Sequence, residues 1–192
     1  MIRLFYNYYF DQDIRRRAEL DRCKQVNLEN KLLNVIIIDT SSQSMEKPTY
    51  NFFFNKINEI TGDDDINIIS NSDIYFDDSI ALVEKMTSNQ VYALSRWNVN
   101  RQGNVELFNR EDSQDTWIIK GKVKPVYGDF HLGRPGCDNR IAHEFKVAGY
   151  EVLNPSKTIK SFHLHNSGVR RYNTAHTVPP PYLTLPPVEL CG

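Results

Sequence analysis

The sequence predicts an α/β domain of Rossmann-like character, with a central, mostly parallel mixed sheet flanked by helices. Three observations carry this expectation. Short apolar runs rich in β-branched and aromatic residues alternate with segments of helical spacing, in the order βαβαβαβ over the front of the chain. Three of those runs end on polar residues, Asn7-Tyr8, Asp39-Thr40 and Asn71-Ser72-Asp73, and ligands of parallel sheets gather at the carboxyl ends of strands. The chain has 192 residues, enough for one domain with a substantial core.

Each element follows from its local pattern. Ile2 to Phe10 is aromatic and β-rich, a first strand. Asp13 to Asn30 holds strong helix formers and three consecutive arginines, with Ile14, Ala18 and Cys23 expected to face inward. Leu32 to Ile38 reads as a buried strand, and Ser41 to Pro48 as a loop. Tyr50 to Thr61 spaces Phe53, Ile57 and Ile60 as a helix does, with Gly62 just past its end. Ile66 to Ile69 is the next strand. Asp77 to Asn89 is a helix with acidic residues at its start and Ile80, Val83 and Met86 on one side. Val91 to Trp97 is a strand, Asn98 to Ser113 a polar hairpin or excursion, and Trp117 to Gly121 a short strand. Asp138 to Ala148 is a helix with Ile141, Ala142 and Phe145 inward, followed by short extended pieces at Tyr150 to Leu153 and Thr158 to His163.

Composition narrows the class. The net charge is −1, so no global field selects nucleic acid. No apolar run is long enough to span a bilayer. Three widely spaced cysteines argue against a disulfide framework and fit a reducing, cytoplasmic compartment. Neither GxGxxG nor GxxxxGK[ST] occurs, which argues against a dinucleotide dehydrogenase and a P-loop NTPase. Five of the nine prolines fall in 177–192. The expected division is a domain over 1–176 and a Pro-rich tail or linker over 177–192, with the chain as the first domain of a longer polypeptide. A tail that wraps the surface is the alternative.

The residues that suggest chemistry are few. Asp73 follows a buried strand, and a carboxylate there suits a hard cation such as Mg2+ or Mn2+ bridging substrate phosphates. It suits equally a turn residue bonding its own backbone. Asp77 and Asp78 read as helix N-terminal charges. In His163-Leu164-His165, alternation puts both imidazoles on one face, as a metal pair, a metal and phosphate pair, or a structural pair. Arg170 and Arg171 follow a Gly-containing polar loop, a plausible diphosphate clamp. Asp138 reads as an N-cap that could also serve as a general base, and Arg140 opposes the helix dipole and so wants an anionic partner. Asp115 lies two residues before Trp117; together they suit a sugar, with Trp97 a second aromatic of the same kind, and either indole equally suits the core.

Taken in order, NSDIYFDDSI, GRPGCDNRIAHEFKVAGYEV and the late HLHNSGVRRY resemble glycosyltransferases of the GT-A fold. Within them the resemblance is to the compact amino-terminal glycosyltransferase domains of large algal DNA viruses, over Ile2 to Tyr172. It implies transfer of a hexose-type sugar from a nucleotide diphosphate, UDP first among them, to a glycan hydroxyl, in viral glycoprotein glycan synthesis within the host cytoplasm. It implies that Asp73 is the main Mn2+ or Mg2+ ligand and that His163 or His165 completes the metal or touches the diphosphate. Asn7, Tyr8, Asp39, Thr40, Asn71 and Ser72 would hold the donor nucleotide, and Asp138 would sit by the acceptor, where it, or Asp115, would remove the acceptor proton if the reaction inverts. The first acidic position of the metal motif is Asn71 here, so the metal would rest on one carboxylate. Two other readings stay open: a metal-dependent phosphoesterase on Asp39, Asp73, His163 and His165, and a carbohydrate-binding module with Trp97 and Trp117 as platforms.

Overall fold

A computed structural model describes residues 1–41, 48–169 and 176–190. Its elements are β1 (Ile2–Tyr8), α1 (Ile14–Glu29), β2 (Leu33–Asp39), α2 (Tyr50–Ile60), β3 (Ile66–Ser70), β4 (Ile74–Phe76), a 3-10 helix (Asp78–Lys85), β5 (Gln90–Leu94), β6 (Arg96–Val99), β7 (Val105–Leu107), β8 (Thr116–Lys120), α3 (Cys137–Val147), β9 (Glu151–Leu153) and β10 (Ser161–His163). The chain is mixed α/β, with two mixed sheets among the described residues. The larger has the order β2-β1-β3-β8-β5-β9, and the smaller β4-β10-β6-β7. In the larger sheet only β8 runs antiparallel to its neighbours. No helix among the described residues is long and apolar enough to cross a membrane.

The larger sheet is covered on both faces, which is why β3 reads as unbroken burial rather than alternation. One face presents Phe5, Ile69, Ala93, Trp117 and Ile119 to Phe53, Ile57, Ile141 and Phe145 of α2 and α3. The other presents Leu4, Tyr6, Ile68, Leu94 and Ile118 to Cys23 of α1, Ile80 and Val83 of the 3-10 helix, and β4. Burial of this apolar area is the main stabilising term, at about 25 cal/mol per Å2.

Several expected elements change shape. Val91 to Trp97 is not one strand. The chain leaves the larger sheet after Leu94 and joins the smaller one at Arg96. Ser95, fully buried between them, makes this switch through its hydroxyl, which donates to the carbonyls of Arg110 and Ser113. The expected helix after Asp77 is a 3-10 helix, and Asp77 does cap it, accepting from Ser79 N at 3.0 Å. Of the three α1 residues expected to face inward, only Cys23 does. Ile14 is 71% exposed, and the buried stripe is Arg16, Leu20, Cys23 and Asn27. Residues four, three and four apart share one helix face, so a single apolar pair carries this stripe while its two ends are polar. Asn27 spends both ends of its amide on β4, donating to Ile74 O at 2.9 Å and accepting from Phe76 N at 3.2 Å.

The Pro-rich segment does not leave the domain over its described residues. It runs back along it as a strap. Val178 N donates to Pro135 O, Leu183 N to Asn139 O, Leu185 N to Glu111 O and Val188 N to Asn154 O, all within 2.7–2.9 Å. Val178 and Leu185 are buried in the core cluster that contains Trp117.

Candidate functional site

Strand direction decides which residues meet. β1, β3 and β5 end at one rim of the larger sheet. β8 begins there, because it runs the other way. Asp115, the residue before β8, therefore lies between two strand ends: Asn71 N donates to its carbonyl, and its own N–H donates to Leu94 O. At this rim opens a cleft of about 1290 Å3. Asn7, Asn71, Ser72 and Asp73 line it from the strand ends, Arg96 and Asn98 from the smaller sheet, and Asp138 from α3.

One pole of the cleft is built around Asp73. Asn71 to Ile74 form a turn, closed by Ile74 N donating to Asn71 O. The turn sends the two polar side chains apart. Asn71 Nδ2 donates to Asp115 Oδ1 at 2.6 Å, so Asn71 belongs to the other pole. The Asp73 carboxylate is buried and meets His163 and His165. β10 pairs with both β4 and β6, setting His163 beside Ile74 and Asn98, and Leu164 N donates to Asp73 O. Asp73 Oδ2 then receives Arg16 Nη2 at 2.5 Å, His163 Nε2 at 3.2 Å and His165 Nδ1 at 3.6 Å. Burial alone would raise this carboxyl. The two imidazoles and the Arg16 guanidinium outweigh burial and hold it well below the usual carboxylate range.

The outer nitrogen of each imidazole can be assigned a hydrogen from its partner. His165 Nε2 lies 2.8 Å from the carbonyl of Val169, which can only accept, so Nε2 carries the hydrogen. His163 Nδ1 lies 3.1 Å from Asn98 Oδ1. Arg96 Nε, which can only donate, also points at that oxygen at 3.0 Å. The atom is therefore the amide oxygen, and His163 Nδ1 carries the hydrogen. The inner nitrogens, His163 Nε2 and His165 Nδ1, face the Asp73 carboxylate, which can only accept from them. Three ligand atoms from these residues lie within 4.8 Å of one another. A carboxylate and two ring nitrogens converging in a buried place could exchange the hydrogens between them for a cation. One carboxylate and two imidazoles suit a first-row transition ion such as Mn2+, whereas Mg2+ prefers an all-oxygen shell. The residues present fit a metal of the former kind, with Asp73, His163 and His165 as its ligands.

Arg16 is the site residue that the sequence reading missed. Helical spacing from Leu20 and Cys23 points to position 16, but an arginine at the end of an apolar stripe does not announce itself as inward. Glu19, one turn on, was missed too. Its carboxylate accepts from Asn166 N at 2.7 Å, Ser167 N at 2.6 Å, the Ser167 hydroxyl at 2.8 Å and Arg16 Nη1 at 3.2 Å, and so ties the loop after His165 to α1.

The other pole holds two carboxylates. Asp115 accepts from Asn71 and, at 2.8 Å, from Arg96 Nη1, whose guanidinium lies over the Phe108 ring. Asp138 is not the N-cap of α3. That position is Gly136, at φ 78°, where a left-handed backbone favours glycine. The Asp138 carboxylate accepts from Gln114 N at 3.3 Å and Asn139 N at 3.1 Å. Burial, and then the neighbouring Asp115, push it up to about 6 against these two donors.

Other expected residues stand elsewhere. Of the four residues expected at the first two strand ends, Asn7, Tyr8, Asp39 and Thr40, only Asn7 lines the cleft. Its amide is spent on Ile38 O and on the Thr40 hydroxyl, so Asn7 and Thr40 stitch β1 to β2. Tyr8 turns onto α1, donating to Asp21 at 2.6 Å. Asp39 is exposed and caps Ser41 N at 2.8 Å, which also takes it away from a phosphoesterase centre with Asp73. Trp117 lies at the floor of the cleft but is fully buried, packed edge-on to Tyr50 with centroids 5.2 Å apart, and is core rather than an open sugar platform. Trp97 is not among the residues lining the cleft. Its indole N–H donates to Ser156 O and Lys160 lies over its ring. Arg140 pairs with Glu144 at 2.7 Å and donates to Pro179 O and Pro180 O, so its partner is a carboxylate and its work is to hold the strap. Arg170 lies outside the described residues. Cys137 is packed, as expected, with Tyr50 OH 3.7 Å from its sulfur. No protein-family model matches this chain, and no curated protein matches it significantly.

Proposed function

We propose that this chain is a single-domain GT-A glycosyltransferase, which moves a sugar from a nucleotide diphosphate, UDP first among candidates, to a hydroxyl of a glycan. The observation that carries the reading is the convergence of Asp73, His163 and His165 at the carboxyl rim of a mostly parallel sheet, in one cleft with the Asp115–Asp138 pair. A divalent cation bound there would supply positive charge to a leaving pyrophosphate.

The protein's own groups take the remaining roles. Arg16, buried at the same carboxylate, adds fixed positive charge on the donor side. Asp138 takes the proton of the acceptor hydroxyl as that oxygen forms its bond to the anomeric carbon and the bond to the diphosphate breaks. A carboxyl held near 6 is ionised at neutral pH and still basic enough for this task. Arg96 keeps Asp115 in place and so keeps a negative neighbour beside Asp138. The phosphoesterase alternative has less support. It calls for Asp39 and a second cation, and Asp39 is spent elsewhere. Asp73, His163 and His165 form the one such group among the described residues. The carbohydrate-module alternative calls for two open indoles, which Trp97 and Trp117 do not offer.

The test is a thermal-shift series on EDTA-treated protein with nucleotides, with and without Mn2+, followed by assay of UDP release from UDP-sugars and of simple phosphodiester hydrolysis. Ligands of the folded state raise its apparent stability by mass action. Stabilisation by UDP that depends on Mn2+, with UDP release and no phosphodiester cleavage, is the expected result. Indifference to every nucleotide, or full turnover in the presence of EDTA, removes the proposal.

A further inference from the structure

We propose that Asn98, locked by Arg96, is the positioning residue that fixes the ring tautomer of His163 and thereby presents its Nε2 lone pair to a cation beside Asp73. This rests on the functional reading given above and adds a residue that neither the sequence motifs nor the three ligands contain.

The argument is one of donors and acceptors. Asn98 and His163 are register partners on the parallel strands β6 and β10, so their side chains stand on the same face. An isolated asparagine could offer His163 either its oxygen or its NH2, and the two choices select opposite tautomers. Arg96 removes the choice. Its Nε points at the Asn98 side-chain oxygen at 3.0 Å, and a guanidinium has no acceptor to offer an NH2 group. Arg96 is itself held, by Asp115 Oδ2 at 2.8 Å and by the Phe108 ring 4.1 Å below it. Asn98 must then accept and His163 must donate from Nδ1, so that Nε2, turned to Asp73 at 3.2 Å, is the nitrogen left to ligate a cation there. Metal-bound histidines are oriented in this way by a second partner, and loss of that partner commonly lowers metal affinity about 10- to 100-fold. The same chain of contacts joins the two poles, running from Asp115 through Arg96 and Asn98 to His163 and Asp73.

The experiment pairs two readouts. Nitrogen NMR of the imidazoles in the metal-free protein, at a pH where the rings are neutral, reads which nitrogen of His163 carries the proton. Co2+ titration by calorimetry and visible absorption reads the affinity and ligand field of the site. The wild type is expected to show Nδ1–H at His163. Asn98→Leu, which offers no acceptor, is expected to release that tautomer and weaken Co2+ about 10- to 100-fold, and Asn98→Asp, which keeps the oxygen, to restore both. A neutral His163 with its proton on Nε2 in the wild type overturns the proposal whether or not either variant folds. So does Co2+ affinity in Asn98→Leu within about twofold of wild type. Wild-type protein that shows Nδ1–H but takes no Co2+ bears out the tautomer lock and overturns the metal site beneath it, so the two failures are distinguishable.

Discussion

Asp138 and Asp73 are buried carboxyls of one cleft, and their surroundings push them in opposite directions. Asp138 is raised by burial and by Asp115 to about 6. A base works in its ionised form, so transfer should climb as pH rises through about 6 and fall away below it, measured as kcat/KM against pH. The folded state holds this proton more tightly than an unfolded carboxyl does. Ionised Asp138 therefore costs stability above about pH 6, and the cost fades as the solution is acidified through that value. Asp138→Asn should abolish transfer yet raise stability at neutral pH, on the order of 1–3 kcal/mol in urea denaturation. A loss of stability in that variant would argue against a strained charge there. Asp73 has the other sign. Its lowered carboxyl stabilises the fold throughout the range above ordinary carboxylate titration, and that contribution is lost only as pH falls well below it. Asp73→Ala leaves the buried Arg16 with Glu19 as its remaining carboxylate and should cost about 3 kcal/mol in metal-free protein, the low end for breaking a buried pair. Adding Arg16→Met should recover part of that loss, which a double-mutant cycle reads directly.

At the scale of elements, α1 shows what a pattern of apolar residues can and cannot convey. Its existence and limits were plain from composition, and Asp13 caps it, accepting from Arg15 N at 2.9 Å. Its orientation was not plain, because two of four inward positions are polar and are satisfied by partners far along the chain. The same holds for the smaller sheet. VYALSRW looks like one strand because its residues all favour extended backbone, and nothing local marks Ser95 as the place where it changes sheets. By contrast α2, α3 and β3 were legible, since their burial is carried by Phe53, Ile57, Ile141, Phe145 and a run of isoleucines. Asp73 and the two imidazoles could be picked out as polar residues at extended ends, whereas Arg16 and Asn98 gain meaning only from tertiary pairing. Two substitutions in α1 test which of its faces is buried. Asn27→Ala strands a buried carbonyl and a buried N–H of β4 and should cost about 2–4 kcal/mol. Ile14→Glu, at an exposed position, should stay within about 0.5 kcal/mol of wild type, both by chemical denaturation.

For the whole molecule, the strap and the larger sheet act together. Residues 176–190 lie against the Gly133–Asn139 turn and the Glu111–Gln114 segment, the two pieces that position Asp138. Leu185→Ala should cost about 2–4 kcal/mol and speed amide exchange at Leu183 and Leu185, while leaving Co2+ affinity at the other pole unchanged. A fall in Co2+ affinity of tenfold or more would show that the strap supports both poles. The reversed course of β8 has a broader consequence. Five extended residues span about 17 Å, so had β8 run with its neighbours, Asp115 would have emerged on the far side of the domain. The inversion delivers the end of the chain's most loosely patterned excursion, residues 98–115, to the mouth of the cleft. Insertions or exchanges past β7, between residues 108 and 115, can then refashion one bank of the opening while the pairing of β6 with β7 and β10, and the hold of Asn98 on His163, stay as they are.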